Sequence, residues 1–112
     1  MSVIVWQSPS VIEPPADFIA QLCSRLAGRV EAAYLFGSFG SSAYRKGSDI
    51  DLILVVETDR PFVERPQLFS DLYELFPNID LLVYRREELA NLLQEKIGFW
   101  ASVRSSLREL PV

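Results

Sequence analysis

The sequence predicts an α/β or α+β domain in which helices pack on a small β-sheet. Three short apolar runs have the length of buried strands, and the stretches around them carry apolar residues at spacings of three and four. Strands and helices therefore alternate along the chain, which is typical of a sheet covered by helices. With 112 residues we expect one domain, residues 1–112, with an N-terminal extension at 1–15 and a core at about 16–107.

The first half of the chain contains one expected helix and two expected strands. Proline and serine interrupt regular structure up to residue 15, and an amphipathic helix is predicted from there to Gly28. Its apolar stripe consists of Phe18, Ile19, Leu22, Leu26 and Val30. The elements expected after it are a strand at 32–36, a turn at 37–38, a short helix at 39–44, a turn at 45–48 and a strand at 50–57.

The second half adds a third strand between helices. Apolar spacing predicts a helix over residues 62–76, in which Pro66 delays the start or introduces a kink. The elements expected after it are a strand at 79–84, helices at 86–94 and 99–107, and a frayed end at 111–112. The large aromatic residues fit core positions; for Phe99 and Trp100 we also consider an exposed partner surface.

Composition excludes several classes of function. The net charge of −4 provides no basic field for a nucleic-acid backbone, so a nucleotide is a more suitable ligand than a duplex. The chain has no histidine, so histidine-based nucleophilic, acid–base and zinc chemistry is excluded. Cys23 is the single cysteine, and no run of apolar residues is long enough to cross a bilayer. We therefore expect a cytoplasmic protein that does not bind a membrane.

Two carboxylates stand at the entrance to the second predicted strand. In an extended strand Asp49 and Asp51 point to the same face, where they repel each other unless a cation lies between them. Mg²⁺ suits such a site because it prefers oxygen ligands and is usually held by one or two carboxylates plus substrate phosphates. If the third strand lies beside the second, Asp80 joins the same face. Three aspartates could then hold two ions about 4 Å apart, as in an in-line nucleotidyl transfer.

The Gly37-Ser38 turn is a candidate phosphate site. Glycine permits close approach, and backbone N–H groups at such a turn bind anions. The hydroxyl of Ser38 could contact the same phosphates. Among the residues just before the aspartates we rank Ser48 first as a further nucleotide contact, ahead of Arg45 and Lys46.

These residues resemble a known family. Gly37-Ser38, then ten residues, then Asp49-Ile50-Asp51, and Asp80 on a later strand are similar to the minimal nucleotidyltransferases of the DNA polymerase β-like superfamily. The resemblance covers about residues 16–107 and implies a mixed sheet with flanking helices. It also implies two Mg²⁺ ions held by the three aspartates, with Asp80 helping to remove the acceptor's proton, and ATP phosphates held by the turn. Related chains often have a final short strand, and the ending Leu110-Pro111-Val112 departs from that pattern.

The resemblance also implies a biological setting. Many minimal nucleotidyltransferases are antitoxins of HEPN-type ribonuclease toxins, and some transfer AMP from ATP to a tyrosine of that toxin. We therefore predict a protein adenylyltransferase with a HEPN-type toxin partner. The alternative is a catalytically idle binding module that neutralises the toxin by forming a complex; small-molecule transfer is a third possibility. The sequence leaves homo- and hetero-oligomers open.

Each candidate residue also has a purely structural interpretation. Asp49 could be a turn or cap residue, and Asp51 could be an exposed position on an edge strand. Asp80 could be a polar strand entry, Gly37 only a turn residue, and Ser38 a helix N-cap. The metal and phosphate hypothesis is favoured because all of these residues occur together.

Overall fold

A computed structural model describes residues 14–39, 44–45 and 47–112 of the chain. The helices are α1 (Phe18–Leu26), α2 (Arg86–Leu92) and α3 (Phe99–Ser106), and a 3₁₀ segment covers Phe62–Glu74. The strands are β1 (Ala32–Phe36), β2 (Ile50–Val55), β3 (Ile79–Tyr84) and β4 (Arg108–Glu109). The predicted tail and most of the short helix at 39–44 lie outside the described residues.

The described strands form one mixed sheet in the order β3-β2-β1-β4. β2 pairs in parallel with β3 and antiparallel with β1, and β4 pairs antiparallel with β1. The prediction of a small mixed sheet with flanking helices is therefore confirmed. The bounds of β1 and β3 match the apolar runs, and β2 begins as predicted but ends at Val55.

The central strand β2 separates two layers of packing. Ile50, Leu52 and Leu54 lie in the cluster that contains apolar residues of α1 and the 3₁₀ segment. Ile53 and Val55 lie in the other cluster, with apolar residues of α2 and α3. Because side chains alternate along a strand, Asp51 belongs to the face covered by α2 and α3. β2 is thus an apolar strand buried on both faces, with one carboxylate near its start.

The C-terminal end differs from the sequence-based expectation. β4 pairs with β1 through the Cα partners Leu35 and Arg108, and the Leu110 N–H donates to the carbonyl of Ala33 at 2.8 Å. The Leu110 side chain is buried. A strand of two residues carries no periodic signal, so the expected departure from the final short strand of related chains was wrong. The frayed end predicted at residues 111–112 lies beyond β4 and is not contradicted by it.

The segment between β2 and β3 also differs in type. It forms a 3₁₀ segment that begins at Phe62, so Pro66 does not delay its start. The non-helical residue inside it is Phe69, with φ −126° and ψ 28°. Pro66 lacks the N–H that a regular helix would use at this position, which favours irregular helical structure.

The remaining helices follow the prediction closely. α1 buries Phe18, Leu22 and Leu26 at helical spacing and ends before Gly28, whose φ is +78°. In the described part of the chain, no helix has the length and apolar character needed to cross a membrane.

Candidate nucleotidyl-transfer site

Two aspartates lie side by side where β2 and β3 begin. Asp51 and Asp80 are Cα partners in the parallel pair, and Phe36 is the partner of Asp51 on the other side. Paired residues of adjacent strands point to the same face of the sheet, so the two carboxylates share the face of α2 and α3. Asp51 is half-buried, whereas Asp80 is exposed on the edge strand.

The electrostatics of Asp51 reflect its crowded position. Burial raises the pKa of its carboxyl above the ordinary value, and the negative charges of Asp80 and Asp49 raise it further. Asp49 is exposed immediately before β2, so it acts on Asp51 from outside the strand. The fold therefore holds a partly desolvated carboxylate within the field of two others.

A metal ion suits this group of carboxylates chemically. Carboxylate oxygens are the hard ligands that Mg²⁺ prefers, and a cation would relieve the repulsion that raises the pKa of Asp51. Within residues 14–39, 44–45 and 47–112, however, no three acidic or thiol side chains lie close enough together to hold one ion. The structure thus brings Asp51 and Asp80 together as a pair, and the predicted three-aspartate ligand set stays a prediction.

Gly37 lies directly against the Asp51 carboxylate. Its φ is +79°, and a Cβ atom built on it would lie 2.6 Å from Oδ2 of Asp51. An L side chain is disfavoured by the left-handed backbone and would also collide with the carboxylate. Glycine therefore lets the turn after β1 approach the aspartate closely.

We expect Gly37→Ala to displace the Asp51 carboxylate and to lower nucleotidyl transfer. Gly28→Ala is a matched control because Gly28 has φ +78° with nothing within 4 Å of the added Cβ. Each variant should lose about 1 kcal/mol of unfolding free energy from backbone strain, measured by urea denaturation. Only Gly37→Ala should reduce the transfer rate, and equal rates in the two variants would contradict a functional role for the close approach.

The turn is also bound by the C-terminal part of the chain. The Gly37 N–H donates to Oγ of Ser106 at 3.0 Å, and Arg108 donates to the carbonyls of Gly37, at 3.2 Å, and of Phe39. Ser38 is half-buried beside these contacts. Ser106 and Arg108 could not be identified from the sequence, because their contacts cross about 70 residues of chain and carry no local signal.

Ser48 occupies the turn before Asp49. Its N–H donates to the carbonyl of Arg45 at 3.0 Å, and its carbonyl accepts from the hydroxyl of Tyr44 at 3.0 Å. Its predicted contact with a nucleotide stays a prediction.

A cavity of 190 Å³ opens above Asp51 and Gly37. The first turns of α3 line it with Phe99 and Ser102, and Ser106 closes the same side. Phe99 is 59% exposed and packs edge-on against Phe36, so the prediction of a core position for Phe99 was wrong. A larger cavity of 420 Å³ lies between α2 and the β1–β4 edge, away from the paired aspartates.

Tyr73 is a further residue within the field of the site. It was expected in the core, but it is 36% exposed near the end of the 3₁₀ segment. Burial raises the pKa of its hydroxyl, and the charge of Asp80 adds to that increase. Tyr73 thus lies within electrostatic range of Asp80.

Known proteins similar to this chain include nucleotidyltransferases, in agreement with the Gly37-Ser38 and Asp49-Ile50-Asp51 motif. The family described as polymerase beta, nucleotidyltransferase matches residues 19–99. A Methanocaldococcus jannaschii protein named as a candidate protein adenylyltransferase is 31% identical over 93 residues, which are 83% of this chain and 87% of that protein.

Two solved complexes contain a chain of similar fold. One holds the tri-AMPylated Shewanella oneidensis HEPN toxin with an MNT antitoxin; the match has 18% identity and a TM-score of 0.53, and it covers 84% of this chain and 69% of that one. The other is a toxin–antitoxin with AMP-PNP, at 20% identity and a TM-score of 0.55, covering 85% and 71%. These structures support the fold, and the family match covers most of the core. The protein belongs to the polymerase beta nucleotidyltransferase family.

Proposed function

We propose that this protein is a Mg²⁺-dependent adenylyltransferase that transfers AMP from ATP to a hydroxyl of a protein partner. The observation that carries the proposal is the pairing of Asp51 with Asp80 where β2 and β3 begin, with Gly37 packed against Asp51. The partner we propose is a HEPN-type toxin, for which this chain would be the cytoplasmic antitoxin. The name of the Methanocaldococcus jannaschii relative supports adenylyl transfer to a protein, and the complex of a similar chain with a HEPN toxin supports the choice of partner. We further propose that residues 1–112 form one nucleotidyltransferase domain.

The carboxylates and the turn have separate roles in this reaction. Asp49, Asp51 and Asp80 would hold Mg²⁺, which would neutralise phosphate charge and lower the pKa of the acceptor hydroxyl. The turn at Gly37 and Ser38 would bind the phosphates through backbone N–H groups, with Ser48 as a further contact. The N–H of Gly37 is already engaged by Ser106, so phosphate would compete with or join that contact.

The position of Asp80 favours an acceptor that arrives from outside the domain. Asp80 is exposed on edge strand β3, whereas Asp51 is half-buried beside it. The acceptor oxygen forms a bond to the α-phosphorus, the bond from that phosphorus to the pyrophosphate oxygen breaks, and Asp80 accepts the hydroxyl proton. Pyrophosphate leaves, and AMP stays on the acceptor as a phosphodiester.

The test follows the two ends of the ATP phosphate chain. The purified protein is incubated with Mg²⁺, a HEPN-type toxin and ATP labelled on the α- or the γ-phosphate. We expect label on the toxin only from the α position, and only while the aspartates are intact. Transfer of the γ label would contradict nucleotidyl transfer, and a reaction without the toxin would identify label on the chain itself.

The idle binding module is the second candidate, and one observation favours it. The described residues do not assemble three carboxylates into an ion site. A binding module would neutralise the toxin equally well after Asp49→Asn and Asp51→Asn replacement, with no label transferred by either form. An enzyme would lose both transfer and the neutralisation that depends on it.

A further inference from the structure

The turn at Gly37–Phe39 is hydrogen-bonded to Arg108, the first residue of β4. Arg108 is the Cα partner of Leu35, which lies two residues before Gly37. From this position its guanidinium donates to the carbonyl of Gly37 at 3.2 Å and to that of Phe39. One forked side chain thus binds two carbonyls of the same turn, a geometry that guanidinium provides and ammonium does not.

Ser106 holds the turn at a second point. Its oxygen accepts the Gly37 N–H at 3.0 Å, while its hydroxyl lies 3.3 Å from the carbonyl of Val103. Because the hydroxyl proton points back along α3, a lone pair of the oxygen faces Gly37. Residues 106 and 108, which we name the C-terminal clamp, therefore bind both an N–H and the carbonyls of the turn.

This arrangement determines where the next N–H group points. In a trans peptide the C=O of one residue and the N–H of the next point in opposite directions, and the described residues contain no cis peptide. Because the Gly37 carbonyl points at Arg108, the Ser38 N–H points away from Arg108. Arg108 therefore fixes the direction of a backbone donor in the turn proposed to bind phosphate.

Stability alone is a weak explanation for an arginine here. Nε of Arg108 is buried without a hydrogen-bond partner among the described residues, which carries a desolvation cost. β4 is only two residues long, and Leu110 already anchors it to β1. Arg108 places a positive charge next to the turn proposed to bind phosphate, in a chain of net charge −4. Attraction of a phosphate chain explains this charge better than stability does.

We propose that Arg108 and Ser106 are positioning residues for the nucleotide triphosphate. This inference rests on the proposed role of the Gly37-Ser38 turn and adds the C-terminal end of the chain to the nucleotide site. Arg108 orients the turn and contributes long-range positive charge, and Ser106 fixes Gly37 beside Asp51. Neither residue touches the reacting atoms.

The test compares two arginines that each donate to two backbone carbonyls, Arg108 through both terminal nitrogens and Arg104 through Nη1 alone. Arg104 donates to the carbonyls of Leu93, at 2.7 Å, and Glu95, at 3.1 Å, away from the turn, so Arg104→Met is the matched control for Arg108→Met. Both variants should lose similar unfolding free energy. Arg108→Met should raise the KM for ATP about tenfold or more with a smaller change in kcat, by analogy with outer-shell partners of bound ligands. Ser106→Ala should change KM in the same direction by less.

Binding measurements separate phosphate recognition from stability. Inorganic tripolyphosphate with Mg²⁺ has no base or sugar, so its Kd reports on the phosphate turn alone. We expect Arg108→Met to weaken tripolyphosphate as much as ATP, and Arg108→Lys to recover part of the loss because the charge remains while the fork is lost. Arg108→Lys also keeps the test valid if Arg108→Met does not fold.

The outcomes distinguish this inference from the proposed function. Unchanged KM and Kd in both Arg108 variants, with Asp51→Asn inactive, would overturn the inference and leave the function standing. Equal KM changes in Arg104→Met and Arg108→Met would show that the C-terminal clamp has only a structural role, and would also overturn the inference. If the unaltered chain binds ATP but transfers no label, the proposed function fails while the clamp is still tested by the two Kd values. If it binds neither ATP nor tripolyphosphate, both fail.

Discussion

Asp51→Asn is expected to slow nucleotidyl transfer severely while making the fold more stable. Ion–phosphate interactions contribute several kcal/mol to transition-state stabilisation, so the rate should fall by about 10³-fold. The same change removes a charge that the fold disfavours. The pKa of Asp51 lies above its ordinary value of 3.8, chiefly because of burial and then because of Asp80 and Asp49.

The sign of the stability effect follows from proton binding. A carboxyl with a raised pKa binds its proton more tightly in the folded state than in the unfolded state, so folding free energy is lost as pH rises through that window. At neutral pH the ionised Asp51 therefore destabilises the metal-free chain, and asparagine removes this penalty. The gain should disappear well below pH 3.8, where the group is protonated in both states.

Thermal unfolding and labelled-ATP transfer, measured on the same preparations, test both parts of this prediction. Asp59→Asn is the control because Asp59 is an exposed aspartate between β2 and the 3₁₀ segment. It should change neither property. A less stable Asp51→Asn chain would show that its carboxylate has a structural partner, and undiminished transfer would remove Asp51 from the site.

The strands and the paired aspartates could be predicted because their signals are local. The runs at 32–36, 50–55 and 79–84 are apolar and bounded by turn residues, so the strands and their entrances are well defined. Once β3 lies beside β2, the register makes Asp51 and Asp80 neighbours. The sequence predicted that Asp80 joins the other aspartates if the third strand lies beside the second, and in the fold β3 does lie beside β2.

The surroundings of the aspartates could not be predicted in the same way. Arg108 and Ser106 reach Gly37 only after β4 has paired with β1, and a lone serine or arginine near a helix end has no periodic context. Phe99 has helical spacing to Val103, which favours the core over the exposed surface also considered for it. Phe99 is the first residue of α3, and its side chain lines the cavity beside Asp51 and Gly37 instead. Tertiary contacts over long sequence separations decide such positions.

Glu88→Gln is expected to be the most destabilising single change outside the core. Arg65 is 5% exposed, and its Nη1 donates to Oε1 of Glu88 at 2.6 Å. Oε1 also accepts the Arg85 N–H at 2.7 Å, so one carboxylate joins the 3₁₀ segment to the start of α2. Removing its charge leaves a buried guanidinium without a counter-ion, at a cost of about 3 kcal/mol.

The neighbouring Glu87 provides a control that distinguishes loss of the buried Arg65–Glu88 ion pair from loss of an exposed surface charge. Glu87 lies 3.6 Å from Arg85 and its side chain is 63% exposed, so Glu87→Gln should cost well under about 1 kcal/mol. The double replacement Arg65→Met, Glu88→Leu should recover much of the loss, since apolar pairs of similar volume often replace buried ion pairs without cost. Equal midpoints of urea unfolding for the two glutamine variants would contradict the prediction.

The pH dependence of this loss identifies its cause. Hydrogen bonding to Arg65 is the main reason that the pKa of Glu88 is lowered from 4.5 to about 2, assisted by the Arg85 N–H and by both arginine charges. A depressed carboxyl pKa contributes stability that is present above pH 4.5 and is lost as pH falls toward 2. The difference in unfolding free energy between the unaltered chain and Glu88→Gln should therefore be constant from pH 7 to about pH 5 and shrink steadily below that. A difference that persists at pH 2 would mean that the shape of the carboxylate, rather than its charge, joins the two segments.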